Sequence, residues 1–114
     1  MATILYVEDH PPAQLLMQAI IGEMTDHHLL LANSGEEARQ MVLAARPDLY
    51  ILDLDLPDGD GIALAQTLLT LHPAPVILVS AYAESVQAES LEFVYLAKPL
   101  DPDDVARTIQ RSLA

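Results

Sequence analysis

Five side chains carry most of the chemistry this sequence can offer: Glu8, Asp9, Asp53, Ser80 and Lys98. Each stands at or just past the end of a short apolar run. Three carboxylates at one rim repel each other and call for a hard cation with oxygen ligands; Mg²⁺ fits that demand. Lys98 is the only lysine in the chain. A compact ammonium there can pair with Asp53 and then with a phosphoryl oxygen. Ser80 adds a hydroxyl donor. A carboxylate nucleophile, a metal, a cation and a hydroxyl are the parts needed for phosphoryl transfer onto Asp53. Singly, each has a plainer role: Glu8 and Asp9 as an acidic loop, Asp53 as a turn residue, Ser80 as a helix cap, Lys98 as a surface lysine. The signal lies in their recurrence at four matching strand ends.

The elements that must position these groups are legible in the pattern. Apolar runs at Thr3–Val7, His28–Ala32, 48–53, 75–80 and 93–97 are mostly apolar on both parities, as strands covered on both faces must be. Helical spacing fills the gaps. Pro11 and Pro12 suit the first turn of a helix carrying Leu15, Leu16, Ala19 and Ile20. Ser34 and Glu37 read as a capping box before Ala38, Met41, Val42 and Ala45. A third helix runs from about Gly61 to Leu71, with Ala65, Leu68 and Leu69 on one face. Asp101 caps the last, with Pro102 in its first turn and Val105, Ile109 and Leu113 inward. Five strands alternating with helices imply an α/β fold: a three-layer, doubly wound parallel sheet with right-handed crossovers. In such sheets ligands bind at the carboxyl ends of the strands, where the five side chains cluster. One link is short. Only residues 81–92 join the fourth and fifth strands, near the lower limit for a parallel crossover. The expectation is a short or irregular fourth helix over 82–91.

Composition narrows the function. With 114 residues, a single domain spanning 1–114 is expected, large enough to bury a core without staples. Seventeen acidic against five basic residues give a net charge of −12, which repels nucleic-acid backbones and anionic lipid. The absence of cysteine excludes disulfides, thiolate catalysis and Cys-based zinc or iron–sulfur sites. No apolar run approaches the ~20 residues of a membrane span, and the N-terminus lacks the basic start of a signal peptide. A soluble, cytoplasmic protein is expected.

Whole segments, and not only single residues, resemble a known family. Val7-Glu8-Asp9-His10-Pro11, Arg46-Pro47-Asp48 leading into Ile51-Leu52-Asp53, Leu56-Pro57, Asp60-Gly61, Val79-Ser80-Ala81 and Tyr95-Leu96-Ala97-Lys98-Pro99 together resemble response-regulator receiver domains, the CheY-like phosphoacceptors of two-component signalling. The resemblance implies a (βα)5 flavodoxin/CheY-like fold with strand order 2-1-3-4-5. It implies Asp53 as phosphorylation site, with Mg²⁺ held by Glu8, Asp9, Asp53 and the backbone carbonyl of Asp55. Ser80 and Lys98 become phosphoryl contacts, Ser80 and Tyr95 the switch pair, and the Lys98-Pro99 bond cis. Partners follow: a histidine kinase or histidine phosphotransfer domain upstream, an unidentified protein downstream. The chain would then be no enzyme beyond its own phosphorylation and dephosphorylation.

Two departures from the family pattern stand out. The stretch from Ser80 to Lys98 is about one helical turn short and lacks the usual Gly-Ala pair, which affects the output face. Asp55 and Tyr82, each two residues past a site residue, flank the mouth and are expected to modulate access. Two rival functions compete with this resemblance. A receiver-shaped module working without phosphate fits the short crossover but not the complete site. A haloacid-dehalogenase-type aspartyl phosphatase is suggested by Leu52-Asp53-Leu54-Asp55, yet that motif ends the first strand in those enzymes and the third here. An EF-hand over Asp53, Asp55, Asp58 and Asp60 fails, because Asp58 stands where glycine is needed and Leu64 where glutamate is needed. A flavodoxin-like carrier fails because Glu8-Asp9-His10 repels the phosphate it must hold.

Overall fold

The structure, a computed structural model, describes residues 1–56, 59–81 and 93–114. Its centre is a five-stranded parallel sheet of β1 (Thr3–Val7), β2 (His28–Ala32), β3 (Leu49–Asp53), β4 (Val76–Ser80) and β5 (Val94–Ala97), in the order 2-1-3-4-5. Helices α1 (Pro11–Met24), α2 (Gly35–Ala45), α3 (Gly61–Leu71) and α4 (Pro102–Leu113) cover it. A two-residue antiparallel ribbon, Asp55–Leu56 with Gly59–Asp60, lies between β3 and α3. The expected fold class is the one observed. The short fourth helix, and Tyr82 with it, fall outside the described residues.

Strand alternation sorts the core into two layers. Leu5 and Val7 of β1, Tyr50 and Leu52 of β3, and Val76 and Leu78 of β4 meet Ala38 and Val42 of α2 and Leu64, Ala65 and Leu68 of α3. The intervening Ile4, Tyr6, Leu49, Ile51, Ile77 and Val79 meet Met17, Ile20 and Ile21 of α1 and Val105 and Ile109 of α4. Full burial of such side chains is worth about 1.5–3 kcal/mol each, so both layers are firmly anchored. The spacing of α1 is borne out in part: Ile20 is buried as expected, but Ala19 is exposed. Met17, Ile20 and Ile21 are buried, whereas Leu15 is 65% and Leu16 38% exposed. The helix is apolar over most of its circumference, so periodicity alone leaves its docking face underdetermined.

The helix starts follow their capping residues. Ser34 Oγ accepts from the Glu37 N–H at 3.1 Å, and Asp101 Oδ1 accepts from the N–H groups of Asp103 and Asp104. Asp60 caps α3 by accepting from the Ile62 N–H at 2.9 Å. Gly61 must be glycine because a Cβ there would stand 2.9 Å from the Asp53 carbonyl oxygen and 2.8 Å from Leu54 Cδ2. That close approach sets the backbone just past Asp53 against the start of α3. Among the described residues no helix is long and apolar enough to cross a membrane.

Candidate functional site

The parallel register brings the carboxyl ends of β1, β3, β4 and β5 to one edge, and the chemistry follows. Glu8 extends the β1 ladder, its N–H donating to the Ala32 carbonyl at 2.9 Å. It therefore projects on the same face as Ile4 and Tyr6, as Asp53 does after Leu49 and Ile51. Both carboxylates are almost wholly buried, Glu8 at 1% and Asp53 at 2% exposure. Lys98 Nζ donates to Asp53 Oδ2 at 2.7 Å and lies 4.0 Å from Glu8 Oε2, beyond hydrogen-bond reach. Asp53 Oδ1 accepts from the Asp55 N–H at 2.9 Å, and Glu8 Oε1 from the His10 N–H at 3.2 Å. Glu8 Oε2 is buried with no hydrogen-bond partner among the described residues.

The two buried acids are pushed in opposite directions. Burial pushes the Glu8 carboxyl well above its usual range, and the neighbouring Asp53 pushes it further. Burial also works to raise Asp53, but contact with the Glu8 carboxyl, with Lys98 and with the Asp55 N–H outweighs it and holds Asp53 below its ordinary value. Lys98 loses to burial but gains more from Asp53 and Glu8, so its pKa rises. As a carboxylate, Glu8 Oε2 is an orphan; protonated, it can donate toward Asp53. The pair is thus an ionised Asp53 beside a Glu8 that needs either a proton or a cation.

The remaining expected residues are placed unevenly. Ser80 is buried at the end of β4, and its carbonyl accepts from the Lys98 N–H at 3.0 Å, fastening the two strand ends together. The Lys98-Pro99 bond is cis. Tyr95 on β5 is partly buried against the α2/α3 layer, its hydroxyl buried with no partner among the described residues. Asp55 is exposed in the ribbon. Asp9 is exposed too, and among the described residues no group of three or more His, Asp or Glu side chains is arranged to hold a metal. The expected convergence of three carboxylates is therefore a convergence of two. Alternation along extended backbone turns the residue after Glu8 the other way, into solvent.

The donor set still fits a divalent cation. Glu8 Oε2 is a buried, unpartnered oxygen beside a second carboxylate, the kind of hard ligand that Mg²⁺ takes while keeping several waters. Beside Lys98 opens an apolar cavity of about 570 Å³ lined by Pro12, Leu16, Ala81, Pro99 and Leu100.

Two residues of the site carry no chemical motif. Gln14 Nε2 donates to the Glu8 carbonyl at 2.5 Å and to Asn33 Oδ1 at 2.7 Å, tying α1 to the ends of β1 and β2. Tyr6, fully buried directly before the acidic loop, has an unpartnered hydroxyl and a pKa raised by burial and then by Glu8 and Asp53. Its place two residues before Glu8 on a buried strand was the available signal.

Known proteins share this architecture. The family model for the response regulator receiver domain matches residues 4–110. The chain is 33% identical over 97% of its length to "Transcriptional regulatory protein ZraR" of Escherichia coli K12, and 31% identical over 96% to "Signal transduction histidine-protein kinase BarA" of the same organism. It spans 26% of the first protein and 12% of the second. Among solved structures, the receiver domain of sensor histidine kinase PA1611 from Pseudomonas aeruginosa, described with a magnesium ion coordinated in its active-site cleft, superposes with a TM-score of 0.85 at 26% identity, over 98% of this chain and 97% of that one. Chemotaxis protein CheY4 of Vibrio cholerae shares the fold, with a TM-score of 0.86 at 21% identity and 99% of both chains covered. Matched along nearly its whole length, this chain belongs to the response regulator receiver domain family.

Proposed function

We propose that the chain is a single receiver domain over 1–114 that accepts a phosphoryl group on Asp53, in a Mg²⁺-dependent reaction, from a histidine kinase or histidine phosphotransfer domain. The observation that carries this reading is the buried Asp53 carboxyl, 2.7 Å from Lys98, at the strand end beside a buried Glu8 whose Oε2 has no hydrogen-bond partner among the described residues. In the transfer, an Asp53 oxygen attacks the phosphorus of a phosphohistidine. The O–P bond forms, the N–P bond breaks, and the leaving imidazole nitrogen takes a proton from water.

The chain's own residues have distinct tasks. The Asp55 N–H and Lys98 keep Asp53 ionised and fix its orientation. Once Asp53 becomes an acyl phosphate, Lys98 is released from the carboxylate and can pair with a phosphoryl oxygen. Ser80, at the adjoining strand end, supplies a hydroxyl to another. Glu8 and Asp53, with Asp9 from the solvent side and the Asp55 carbonyl, would hold Mg²⁺, which when bound neutralises charge on the incoming phosphoryl group. The apolar cavity beside Lys98 gives a donor's helix a place to rest.

The reading makes the chain a signalling module whose only chemistry is on itself, acting in the cytoplasm through a downstream partner that senses the change. Tyr95 is the element that would report it, moving into space that Ser80 vacates. The experiment is incubation with acetyl phosphate and Mg²⁺ followed by intact-mass measurement. A gain of one phosphoryl group that requires Asp53 supports the reading. No gain supports the module that works without phosphate.

A further inference from the structure

Of the three buried side-chain polar atoms with no hydrogen-bond partner among the described residues, two are complementary and share a face of β1: the Tyr6 hydroxyl and Glu8 Oε2. A hydroxyl can donate, and Glu8 Oε2 has a lone pair to accept with, whether or not the carboxyl holds a proton. They sit one pleat apart on the same face of β1, because alternation puts residues i and i+2 on one side and the ladder continues through Glu8. The register adds a second constraint. Tyr6 pairs across to Ile51 of β3, and Asp53 is two residues further along the same row. Tyr6 thus shares one row with both acids, in the core layer that also holds Met17, Ile51 and Val79, and its hydroxyl feels the charge of each acid. A buried hydroxyl left unpaired costs about 1–3 kcal/mol, so the Tyr6 hydroxyl needs a partner, and the open Glu8 oxygen is on the same row. A single buried water supplies one, since such waters bridge otherwise unsatisfied groups.

We propose that Tyr6 is a positioning residue of the acidic site, its hydroxyl donating through one buried water to Glu8 Oε2 and aiming that carboxylate at the cation. The inference rests on the reading of Glu8 as a metal ligand. It explains why a tyrosine, and not a phenylalanine, stands where the rest of the row is aliphatic. Tyr6 touches neither phosphoryl group nor metal; it acts only through Glu8.

The test is a cycle of four proteins: the parent, Tyr6→Phe, Glu8→Met and the double variant. Two quantities are read for each, Mg²⁺ affinity by titration and the urea unfolding midpoint in EDTA. Should Glu8→Met not fold, Glu8→Gln replaces it. Tyr6→Phe is expected to weaken Mg²⁺ binding about tenfold in the parent, the low end for an outer partner of a metal ligand, and to change nothing in the Glu8→Met background. The midpoint is expected to fall in the parent only. An equal Mg²⁺ loss in both backgrounds, no loss in the parent, or a midpoint that rises equally in both would overturn the link. A parent that takes up no Mg²⁺ contradicts the metal reading of Glu8 and the aiming role with it. The midpoints then still decide whether Tyr6 and Glu8 are coupled.

Discussion

Lys98 Nζ stands 2.7 Å from Asp53 Oδ2, so the only lysine of the chain is committed to the most buried of the described aspartates. The contact spans an edge strand and the middle of the sheet, and together with the Glu8 carboxyl and the Asp55 N–H it holds Asp53 below its ordinary range. Removing it leaves two buried acids facing each other without a cation, a loss of about 3–5 kcal/mol where the remaining charge cannot relax. Lys98 is partly open to water, so Lys98→Met is expected to cost nearer 1–3 kcal/mol at neutral pH. The sign with pH follows from Asp53. Its carboxyl is held below the ordinary 3.8, so its contribution is present above that value and lost as the solution is acidified through the folded pKa. Urea unfolding from pH 7 down to pH 3 is therefore expected to show the parent and Lys98→Met converging. A gap that persists at acid pH would point to lost packing of the lysine stem instead.

Glu8 gives the opposite sign. Its carboxyl is pushed from 4.5 up to about 8, so in metal-free protein its favourable contribution is complete below 4.5 and disappears as pH rises toward 8. Glu8→Gln, which cannot ionise, is expected to be the more stable protein in EDTA at pH 8 by about 1–2 kcal/mol, with little difference at pH 4. The same variant should bind Mg²⁺ more weakly, having lost one carboxylate ligand. Equal stabilities at both pH values would mean that Glu8 ionises freely.

Gly61 tests how the backbone after Asp53 is held. A Cβ at this position meets the Asp53 carbonyl and Leu54 at less than 3.0 Å, and the contacts are mainly with backbone. Gly61→Ala is expected to destabilise the fold by about 1–3 kcal/mol, the usual range for forced overpacking. It should also slow modification of Asp53, since the neighbouring chain must shift. Unaltered thermal stability would show that the start of α3 can yield without strain.

The Tyr95 ring is the expected reporter of the modified state. Its hydroxyl is buried without a partner among the described residues, so an alternative position for the ring has little to lose. NMR of the aromatic side chains should show Tyr95 resonances moving on phosphorylation and still in Asp53→Asn treated identically. Resonances that stay in place in the phosphorylated protein would remove Tyr95 from the switch.

Most of the fold was legible because its rules are local. Runs buried on both faces, a capping Ser34 and Asp101, and a Pro-led first helix each force one element, and strand–helix alternation leaves one architecture. The acidic site was legible because open parallel sheets expose the ends of their strands. What was hidden depends on how side chains turn. Periodicity grouped Leu15, Leu16, Ala19 and Ile20 on α1, but of these only Ile20 is buried, with Met17 and Ile21 beside it, because a nearly all-apolar helix has no polar face to orient it. The types of Glu8, Asp9 and Asp53 do not say from which side each faces the rim: Glu8 and Asp53 are buried, whereas Asp9 lies in solvent. Gln14 is tied to the site by hydrogen bonds to a backbone carbonyl and to Asn33, and nothing in its residue type announces that.

The central claim is that Asp53 is the phosphoacceptor, and one measurement meets it directly. The parent and Asp53→Asn are each incubated with acetyl phosphate and Mg²⁺, and their intact masses are compared, with circular dichroism showing that both are folded. The expected result is a gain of one phosphoryl group in the parent, abolished by EDTA, and none in Asp53→Asn. A folded Asp53→Asn that gains the same mass to the same extent would contradict the assignment.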